Sequence, residues 1–379
     1  MNKNKLSDLF GISAPLIGFS RSPGVVAAVT NEGGLGVLAA SGYTPKELDA
    51  QLTWIEEQID GRPYGVDLLI PEKFTSADSE DLLAGLRAQI SSEHIKFVET
   101  LLKKYDIPAV SPNDAELAGA EFGRVMAESI RPQGVEALLE VAFSHRIALI
   151  ASALGPAPAS LVERSHKADV AVAALVGAPK HVPRQIESGV DILVAQGTEA
   201  GGHTGTIATM VLTPEVVDIA GDRPVLAAGG IASGRQMAAA LALGASGVWC
   251  GSVWLSSAED ITPPSIKSKF LAASSSQTLR SPTRTGKPAR QLHSSWHDEW
   301  AEPGSPEPLP MPLQPLLVSE AWARIDAAAA DGHKGAELLE SYYIGQVVGS
   351  FEAIRPASEI ARELIDECKT RLAELGQMV

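Results

Sequence analysis

Eight short apolar runs occur along the chain, and most are followed by a longer stretch with helical spacing. The runs cover residues 14–19, 35–40, 64–70, 147–153, 170–177, 191–197, 224–230 and 247–252. Most of them are apolar at consecutive positions, which is typical of parallel strands that helices bury on both faces. The stretches between them end near a glycine, a basic residue or the next run, as βα units do. The pattern therefore predicts eight βα units.

Eight successive βα units predict an α/β fold of the (β/α)8 TIM-barrel type. A doubly wound open sheet is the alternative architecture for the same alternation. Glycines recur at the ends of the apolar runs, and this feature favours the closed barrel.

Two segments depart from the βα rhythm. Residues 71–135 are far more than one crossover needs, and they predict a mostly helical insertion at the barrel rim after the third strand. The barrel itself is then expected to occupy residues 1–70 and 136–379. Within that second part, the proline-rich residues 281–317 predict an ordered irregular loop over the active face, with a disordered linker as the alternative. A helix is expected to close this C-terminal loop/helix extension.

Composition narrows the class of protein. The formal net charge of −15 and the pI near 5.0 disfavour binding to nucleic acid or to an acidic membrane surface, because either would need a basic face. No apolar run reaches about 18 residues, so no membrane span is predicted. The only cysteines, Cys250 and Cys368, give no disulfide framework. A cytoplasmic globular protein is therefore expected.

Glycines end both the seventh and the eighth apolar runs. Gly229 and Gly230 follow the seventh, and Gly251 and Ser252 follow the eighth. In a barrel, the loops after these two strands commonly bind phosphate through main-chain N–H groups. Glycines that only cap strands and form tight turns are the alternative, but two such turns on adjacent strands favour a phosphate site.

The sixth run continues into "AQGTEAGGHTG", a turn with four glycines and one imidazole, that of His203. An imidazole has a pKa suited to proton transfer near neutral pH. The alternative is a loop histidine that hydrogen-bonds to Glu199 or to a main-chain carbonyl. His293 and His297 have i,i+4 spacing, but no third ligand is evident and Trp296 indicates packing, so no metal site is predicted.

Four segments together resemble the nitronate monooxygenase family, formerly called 2-nitropropane dioxygenases. They are "AQGTEAGGHTG", "PVLAAGGIASGRQMAAALALGASGVWCGSVWL", "GKPARQLHSSWHDEWAEPGSPEPLPMPLQ" and "GQVVGSFEAIRPASEI". The N-terminal "VVAAVTNEGGLGVLAA" and "YGVDLLIP" fit as well. The resemblance covers nearly the whole chain except the insertion, and it implies an FMN-dependent TIM-barrel oxidoreductase. FMN-dependent enoyl reductases share the same barrel.

The resemblance also implies which residues contact FMN. Gly229, Gly230, Gly251 and Ser252 would hold its phosphate. The other implied contacts are Phe19, Ser20, Asp67, Val176, Gly177, Gln196, Gly201, Gly202 and Ala228.

The chain departs from the family's pattern at two places. Where the family usually has a methionine-containing segment in the first strand, this chain has "IGFSRSP", so Phe19 and Ser20 would line that wall and Arg21 would point toward substrate. The asparagine that commonly follows the third strand is Asp67 here. A carboxylate beside a flavin would alter its hydrogen bonding.

The matching histidine of the family, His203 here, is implied to be a base or an anion partner beside the flavin. The leading hypothesis is an FMN-dependent nitronate monooxygenase that oxidises alkyl nitronates with O2 to carbonyl compounds and nitrite. The alternative is an NAD(P)H-dependent FMN reductase of an enoyl thioester, a quinone or another activated alkene. A third hypothesis is a flavin- or phosphate-binding barrel without catalysis.

Several roles stay open at the level of sequence. Lys287 and Arg290 either meet an anionic substrate tail or are only solvated. Tyr342 and Tyr343 lie in a segment that reaches the active face in relatives, with a core or lid role as the alternative. Alanine-rich helix faces suit a homodimer and intramolecular packing equally.

Overall fold

The computed structural model describes residues 5–70, 84–109, 132–152 and 155–378. Its strands are β1 (Leu16–Ser20), β2 (Leu35–Ala39), β3 (Gly65–Leu68), β4 (Leu149–Ser152), β5 (Ala171–Val176), β6 (Ile192–Gln196), β7 (Gly202–His203), β8 (Val225–Ala228), β9 (Gly247–Cys250), β10 (Thr278–Ser281) and β11 (Ala289–Leu292). Eight of them form a closed parallel barrel in the order β1-β2-β3-β4-β5-β6-β8-β9. Each predicted apolar run overlaps one barrel strand, so the predicted (β/α)8 barrel is confirmed.

The described helices surround the barrel or belong to the C-terminal extension. They are α1 (Lys5–Phe10), α2 (Pro23–Asn31), α3 (Pro45–Gln58), α4 (Ser92–Lys104), α5 (Pro132–Ser144), α6 (Ala159–Lys167), α7 (Val182–Glu187), α8 (Thr209–Ile219), α9 (Gly234–Ala242), α10 (Pro264–Ala272), α11 (Ser295–Ala301), α12 (Leu313–Ala330), α13 (Lys334–Leu339) and α14 (Ala357–Gly376). None of these helices is long and apolar enough to cross a membrane.

Alternate residues of each barrel strand belong to different cores. In β5, Ala171 and Ala173 belong to the barrel interior, whereas Val172 and Val176 pack outward against the surrounding helices. Both faces are therefore buried, which explains why the sequence shows continuous apolar runs rather than alternation. Leu6 of α1 also joins the interior cluster.

The interior residues nearest the carboxyl ends of the strands form the floor of the barrel mouth. In an eight-stranded barrel the register advances by about one residue per strand, and alternate strands contribute side chains to the same layer. The strand pairings accordingly bring Phe19, Asp67, Leu175 and Ala228 to one level. We call these four residues the mouth layer. One of its four side chains is a carboxyl group.

The predicted insertion is described only in part. Residues 84–109 contain α4, which packs with α12 and the tryptophans of the C-terminal extension in one apolar cluster. Residues 71–83 and 110–131 lie outside the described residues. The barrel helix α5 begins at Pro132, four residues before the predicted boundary, and proline suits the first turn of a helix.

Residues 281–317 are more regular than predicted. They include β11, α11 and the beginning of α12, and β10, β11 and β7 form a three-stranded antiparallel sheet. These strands are two to four residues long, too short to show periodicity in the sequence, and the pairing of β11 with β7 joins distant parts of the chain. The extension therefore supplies a second sheet that reaches the barrel mouth.

Candidate active site

The glycine-rich turn after β6 is held by strand pairing with the C-terminal extension. Gly202 pairs with Arg290, and His203 pairs with Ala289, in antiparallel register. Gly202 has a φ of +76°, a conformation that favours glycine. The pairing with β11 thus fixes the main chain of His203, although the residue follows several glycines.

Two arginines of the small sheet fasten the ends of this turn. The Arg290 Nε donates to the Thr198 carbonyl at 2.7 Å, and the Arg280 Nη2 donates to the Thr204 carbonyl at 2.8 Å. Arg290 is only 8% exposed. Arg290 therefore supports the turn and is neither a solvated residue nor available to a substrate tail.

Glu199 stabilises the turn from its other side. Its carboxylate accepts the Thr209 N–H at 2.9 and 3.1 Å, and its carbonyl accepts the Gln346 N–H at 2.9 Å. A Cβ on Gly201 would lie 2.9 Å from the Gly345 nitrogen. Glu199 is consequently engaged at the start of α8, and it is not the hydrogen-bond partner of His203.

The imidazole of His203 is exposed at the mouth, and its Nε2 contacts Thr285. The His203 Nε2 lies 2.8 Å from the Thr285 Oγ1, and that hydroxyl donates to the Lys287 carbonyl at 3.0 Å. A hydroxyl has one proton to donate and a carbonyl oxygen only accepts. A Thr285 hydroxyl that donates to this carbonyl accepts a hydrogen bond from Nε2–H, an arrangement that favours the neutral ring with Nδ1 unprotonated.

The surroundings of His203 favour this neutral ring. Desolvation by the protein around it, and then the positive charge of Lys287, lower the pKa of His203 from its usual value. The Tyr343 ring lies beside it, with the ring centroids 6.5 Å apart. No residue of the described chain hydrogen-bonds to Nδ1. This nitrogen can accept a proton from a ligand in the mouth.

The loops after β8 and β9 form a cradle of main-chain donors. Gly229 and Gly230 have φ values of +96° and +73°, and a Cβ on Gly229 would lie 2.9 Å from the Ala200 nitrogen. The Ser252 Oγ accepts the Gly345 N–H at 2.9 Å, which leaves its own proton available. Within the described residues, no acceptor meets the N–H groups of Gly230 and Ser252. Neutral donors of this kind suit an anion.

The predicted wall residues point in two directions. Phe19 faces the interior, with its ring centroid 5.8 Å from that of Trp249, and a Cβ on Gly251 would lie 3.5 Å from the Phe19 ring. Ser20 faces outward, where its hydroxyl lies 3.4 Å from the Asp260 carboxylate. Because successive residues of a strand face opposite sides, the structure brings Phe19 but not the Ser20 side chain to the mouth.

Beyond Leu175 at the end of β5, the predicted residues Val176 and Gly177 offer main-chain groups to the mouth. The Val176 side chain packs outward among the helices. A Cβ on Gly177 would lie 3.2 Å from the Gly205 nitrogen, so this glycine permits close approach of the turn.

Two polar side chains face the mouth without partners. Asp67 lies one residue before the end of β3 and Gln196 ends β6, both on the interior side, and neither side chain hydrogen-bonds to another described residue. Asp67 is 5% exposed, and burial alone raises the pKa of its carboxyl group to about 7. Both groups are free to bind a polar ligand.

The remaining candidates take separate places. Lys287 is exposed beside His203, whereas Tyr342 packs against Phe270 with ring centroids 6.1 Å apart. The His293 Nε2 lies 2.8 Å from the Asp298 carboxylate, and the His297 Nδ1 accepts the Ser294 N–H at 3.1 Å. The described side chains include no group of three or more histidines, cysteines or carboxylates arranged for a metal ion.

Sequence reasoning did not find Thr285 or Arg280. Both lie in short segments without periodicity, and their roles depend on pairing with a turn about 80 residues earlier, with sequence separations of 82 and 76. The sequence signals for this region were the proline-rich stretch and the motif that contains Lys287 and Arg290, and neither singles out Thr285 or Arg280.

Comparison with known proteins establishes the class of protein. The family model described as nitronate monooxygenase matches residues 3–367. The chain belongs to the nitronate monooxygenase family, as the sequence motifs predicted, and it is an oxidoreductase.

Individual relatives are similar over most of their length. Rv1533 of Mycobacterium tuberculosis, which carries the name of a monooxygenase, is 51% identical over 100% of this chain and 99% of its own. A Rhodococcus jostii dehydrogenase of a hydroxy-methyl-oxo-octahydroindene carboxyl-CoA is 30% identical over 77% of this chain and 66% of its own. The solved nitroalkane oxidase of Streptomyces ansochromogenes has a TM-score of 0.76 and 25% identity, over 98% of this chain and 99% of its own.

Proposed function

We propose that the protein is an FMN-dependent nitronate monooxygenase, which oxidises alkyl nitronates with O2 to carbonyl compounds and nitrite. The observation that carries the proposal is His203 in the turn after β6, whose Nε2 contacts Thr285 and whose Nδ1 meets no hydrogen-bond partner among the described residues. The match of the family over residues 3–367 supports the same class of reaction.

The residues at the mouth fit FMN. The main-chain N–H groups at Gly229, Gly230 and Gly251 and the Ser252 hydroxyl would hold the phosphate. These donors are neutral, and neutral donors of this kind suit an anion. Gln196 and Asp67 are unpartnered polar groups that would bind the polar edges of the ring. The flavin would transfer electrons between the organic substrate and O2.

The remaining contacts with the cofactor depend on which side chains and main-chain groups face the mouth. Phe19 would line one face of the ring, and the main chain of Gly201 and Gly202 would pass along it. Val176, Gly177 and Ala228 would contribute main-chain groups or small surfaces at the strand ends. Ser20 would act through its main chain, because its hydroxyl is directed toward Asp260.

His203 would move a proton at one stated atom. Its Nδ1 accepts the proton from the α-carbon of a neutral nitroalkane, which converts the nitroalkane into the nitronate. Thr285 keeps the other nitrogen protonated, and the lowered pKa keeps the ring neutral at pH 7. A preformed nitronate has already lost that proton, so it does not need the base.

The test compares these two substrates in a His203→Asn variant. Loss of a general base costs roughly 100- to 10,000-fold in rate. We expect a loss of this size in kcat/KM for the neutral nitroalkane and a much smaller loss for the preformed nitronate. His293→Asn is the matched control, since His293 lies at the surface of the extension and pairs with Asp298.

Three results would contradict the proposal. The first is a purified protein that carries no FMN and binds none. The second is an FMN-loaded protein that oxidises no alkyl nitronate. The third is a His203→Asn variant that loses the same activity on both substrates. The first result would exclude FMN as the cofactor, the second would exclude the proposed reaction, and the third would exclude His203 as the base.

One observation favours a second candidate function. The Rhodococcus jostii relative is named as a dehydrogenase of a CoA thioester. On this alternative, NAD(P)H would reduce the flavin, and the enzyme would then reduce an enoyl thioester, a quinone or another activated alkene. Oxidation of NADH or NADPH that depends on such an acceptor, without activity on nitronates, would establish this function instead.

A further inference from the structure

We propose that the Asp67 carboxyl group lies against the flavin and takes up one proton from solvent when the flavin is reduced. The inference rests on the proposed binding of FMN, and it starts from the position of Asp67 in the barrel. Val66 packs outward against the helices, so Asp67 faces the interior, between Ala39 of β2 and Ala151 of β4 in the strand register.

Asp67 differs from two other buried carboxylates of the described chain. Asp260 accepts hydrogen bonds from the Ser22 hydroxyl at 3.1 Å and from the Thr262 N–H at 2.9 Å, and Glu340 pairs with Lys269 at 3.3 Å. The Asp67 carboxyl group has no partner among the described residues. A carboxyl group that faces the mouth and that no described residue hydrogen-bonds is available to a ligand there.

The elements packed around Asp67 present apolar side chains to it. The mouth layer contributes Phe19, Leu175 and Ala228, and the neighbouring strands contribute alanines. No titratable or charged group of the described chain perturbs it, and burial is the sole cause that raises its pKa to about 7.

The charged groups of the mouth are directed elsewhere. The Glu199 carboxylate is bound to Thr209, His203 is neutral and bound to Thr285, and Lys287 is exposed beside His203. A nearby negative charge disfavours ionisation of a carboxyl group. Because no cation of the described residues perturbs Asp67, the charge of the flavin would control its protonation.

Reduction adds two electrons to the ring above the mouth layer, and these electrons come from the organic substrate or from a reduced nicotinamide. The added negative charge raises the pKa of Asp67 further, so the carboxylate binds one proton from solvent in addition to any proton that the flavin itself binds. Below the pKa of about 7, the carboxyl group already carries this proton before reduction, and the extra uptake disappears.

The test measures proton uptake by the flavin-loaded protein. The midpoint potential of bound FMN is followed against pH from roughly pH 5.5 to pH 9 in the wild type and in the isosteric Asp67→Asn variant. Above pH 7 we expect the wild type to take up one more proton per two electrons than Asp67→Asn. Asp260→Asn is the matched control, because it removes a buried carboxylate outside the barrel mouth, and its pH dependence should follow the wild type.

A second readout does not depend on the potential. In the reduced-minus-oxidised infrared difference spectrum above pH 7, the wild type should gain the C=O stretch of a protonated carboxylic acid, and Asp67→Asn should lack that band. Equal proton uptake in the two flavin-loaded proteins, together with absence of the band in the wild type, would overturn the inference. Protein that binds no FMN would instead contradict the proposed function.

Discussion

The hydroxyl group of Thr285 is the group that we propose sets which nitrogen of His203 carries the proton. Replacing Thr285 with valine keeps the shape of the side chain and removes the acceptor for Nε2–H. The ring is then free to place its proton on Nδ1, the atom proposed as the base. We expect kcat/KM for a neutral nitroalkane to fall roughly ten- to a hundredfold, as for outer-shell partners of other catalytic histidines.

The matched variant is Thr285→Ser, which retains the hydroxyl and should retain most of the activity. Nitrogen NMR of labelled histidine reports the tautomer directly, and this readout separates positioning from a loss of packing. A valine variant with an unchanged tautomer and unchanged activity would show that Thr285 does not position His203.

Burial of Asp67 makes stability depend on pH. Its pKa is raised from 3.8 to about 7, so the folded protein binds more protons than the unfolded chain between these values, and the free energy of unfolding falls as pH rises. Such a rise in pKa is worth up to about 4 kcal/mol once the group is ionised. Flavin-free Asp67→Asn should therefore gain stability over the wild type as pH increases.

Urea unfolding of both flavin-free proteins at acidic and at alkaline pH measures this gap. The account requires the gap to widen between about pH 4 and pH 8. A gap that is constant across this range would show that the Asp67 carboxyl group is not desolvated.

The part of the site that could be predicted from the sequence consists of residues whose positions follow from strand register or from a motif. The position of His203 in a glycine-rich turn after an apolar run was readable, and so was the cradle after the seventh and eighth barrel strands. The outward direction of Ser20, the tautomer set by Thr285 and the buried position of Arg290 were not readable. Each of these depends on contacts across 82 to 240 residues of sequence, which leave no local pattern.

At the scale of elements, the final helix is packed unusually closely against the barrel. Gly234 begins α9, and a Cβ there would lie 2.3 Å from the Cys368 nitrogen and 2.6 Å from the Leu364 carbonyl of α14. Main-chain atoms cannot rotate away as a flexible side chain does. Gly234→Ala should therefore separate the helices and cost about 1–3 kcal/mol of unfolding free energy.

The control substitution lies in the same helix pair. A Cβ on Gly376 of α14 would meet nothing within 4 Å, so Gly376→Ala should be neutral or stabilising by up to about 1 kcal/mol. The midpoints of urea unfolding of the two variants test this difference in stability. Equal stability of Gly234→Ala and Gly376→Ala would mean that the close contact of α9 with α14 contributes little.

The barrel elements were predictable because their strands are buried on both faces, which produces continuous apolar runs. The second sheet was not, since β7 has two residues, β10 and β11 have four each, and none buries a periodic face large enough to detect. The prolines of residues 281–317 indicated irregular structure. In the structure, Trp296 and Trp300 of α11 and Trp322 of α12 pack in one apolar cluster with α4.

At the scale of the whole molecule, two parts of the chain build one site. The barrel supplies the cradle, the mouth layer and the turn that carries His203. The C-terminal extension supplies β11, which pairs with that turn, and Thr285, Lys287 and Tyr343 around the imidazole. The extension thus holds the turn that carries His203 and supplies side chains around its imidazole.

The most direct test of the central claim is anaerobic reduction of the bound flavin. FMN-loaded protein is mixed without O2 either with an alkyl nitronate such as propionate 3-nitronate or with NADH or NADPH, and the flavin absorbance is followed. The account predicts that the nitronate alone bleaches the flavin and that admitting O2 restores the colour. Bleaching by the reduced nicotinamide alone, with no change on adding nitronate, would contradict it.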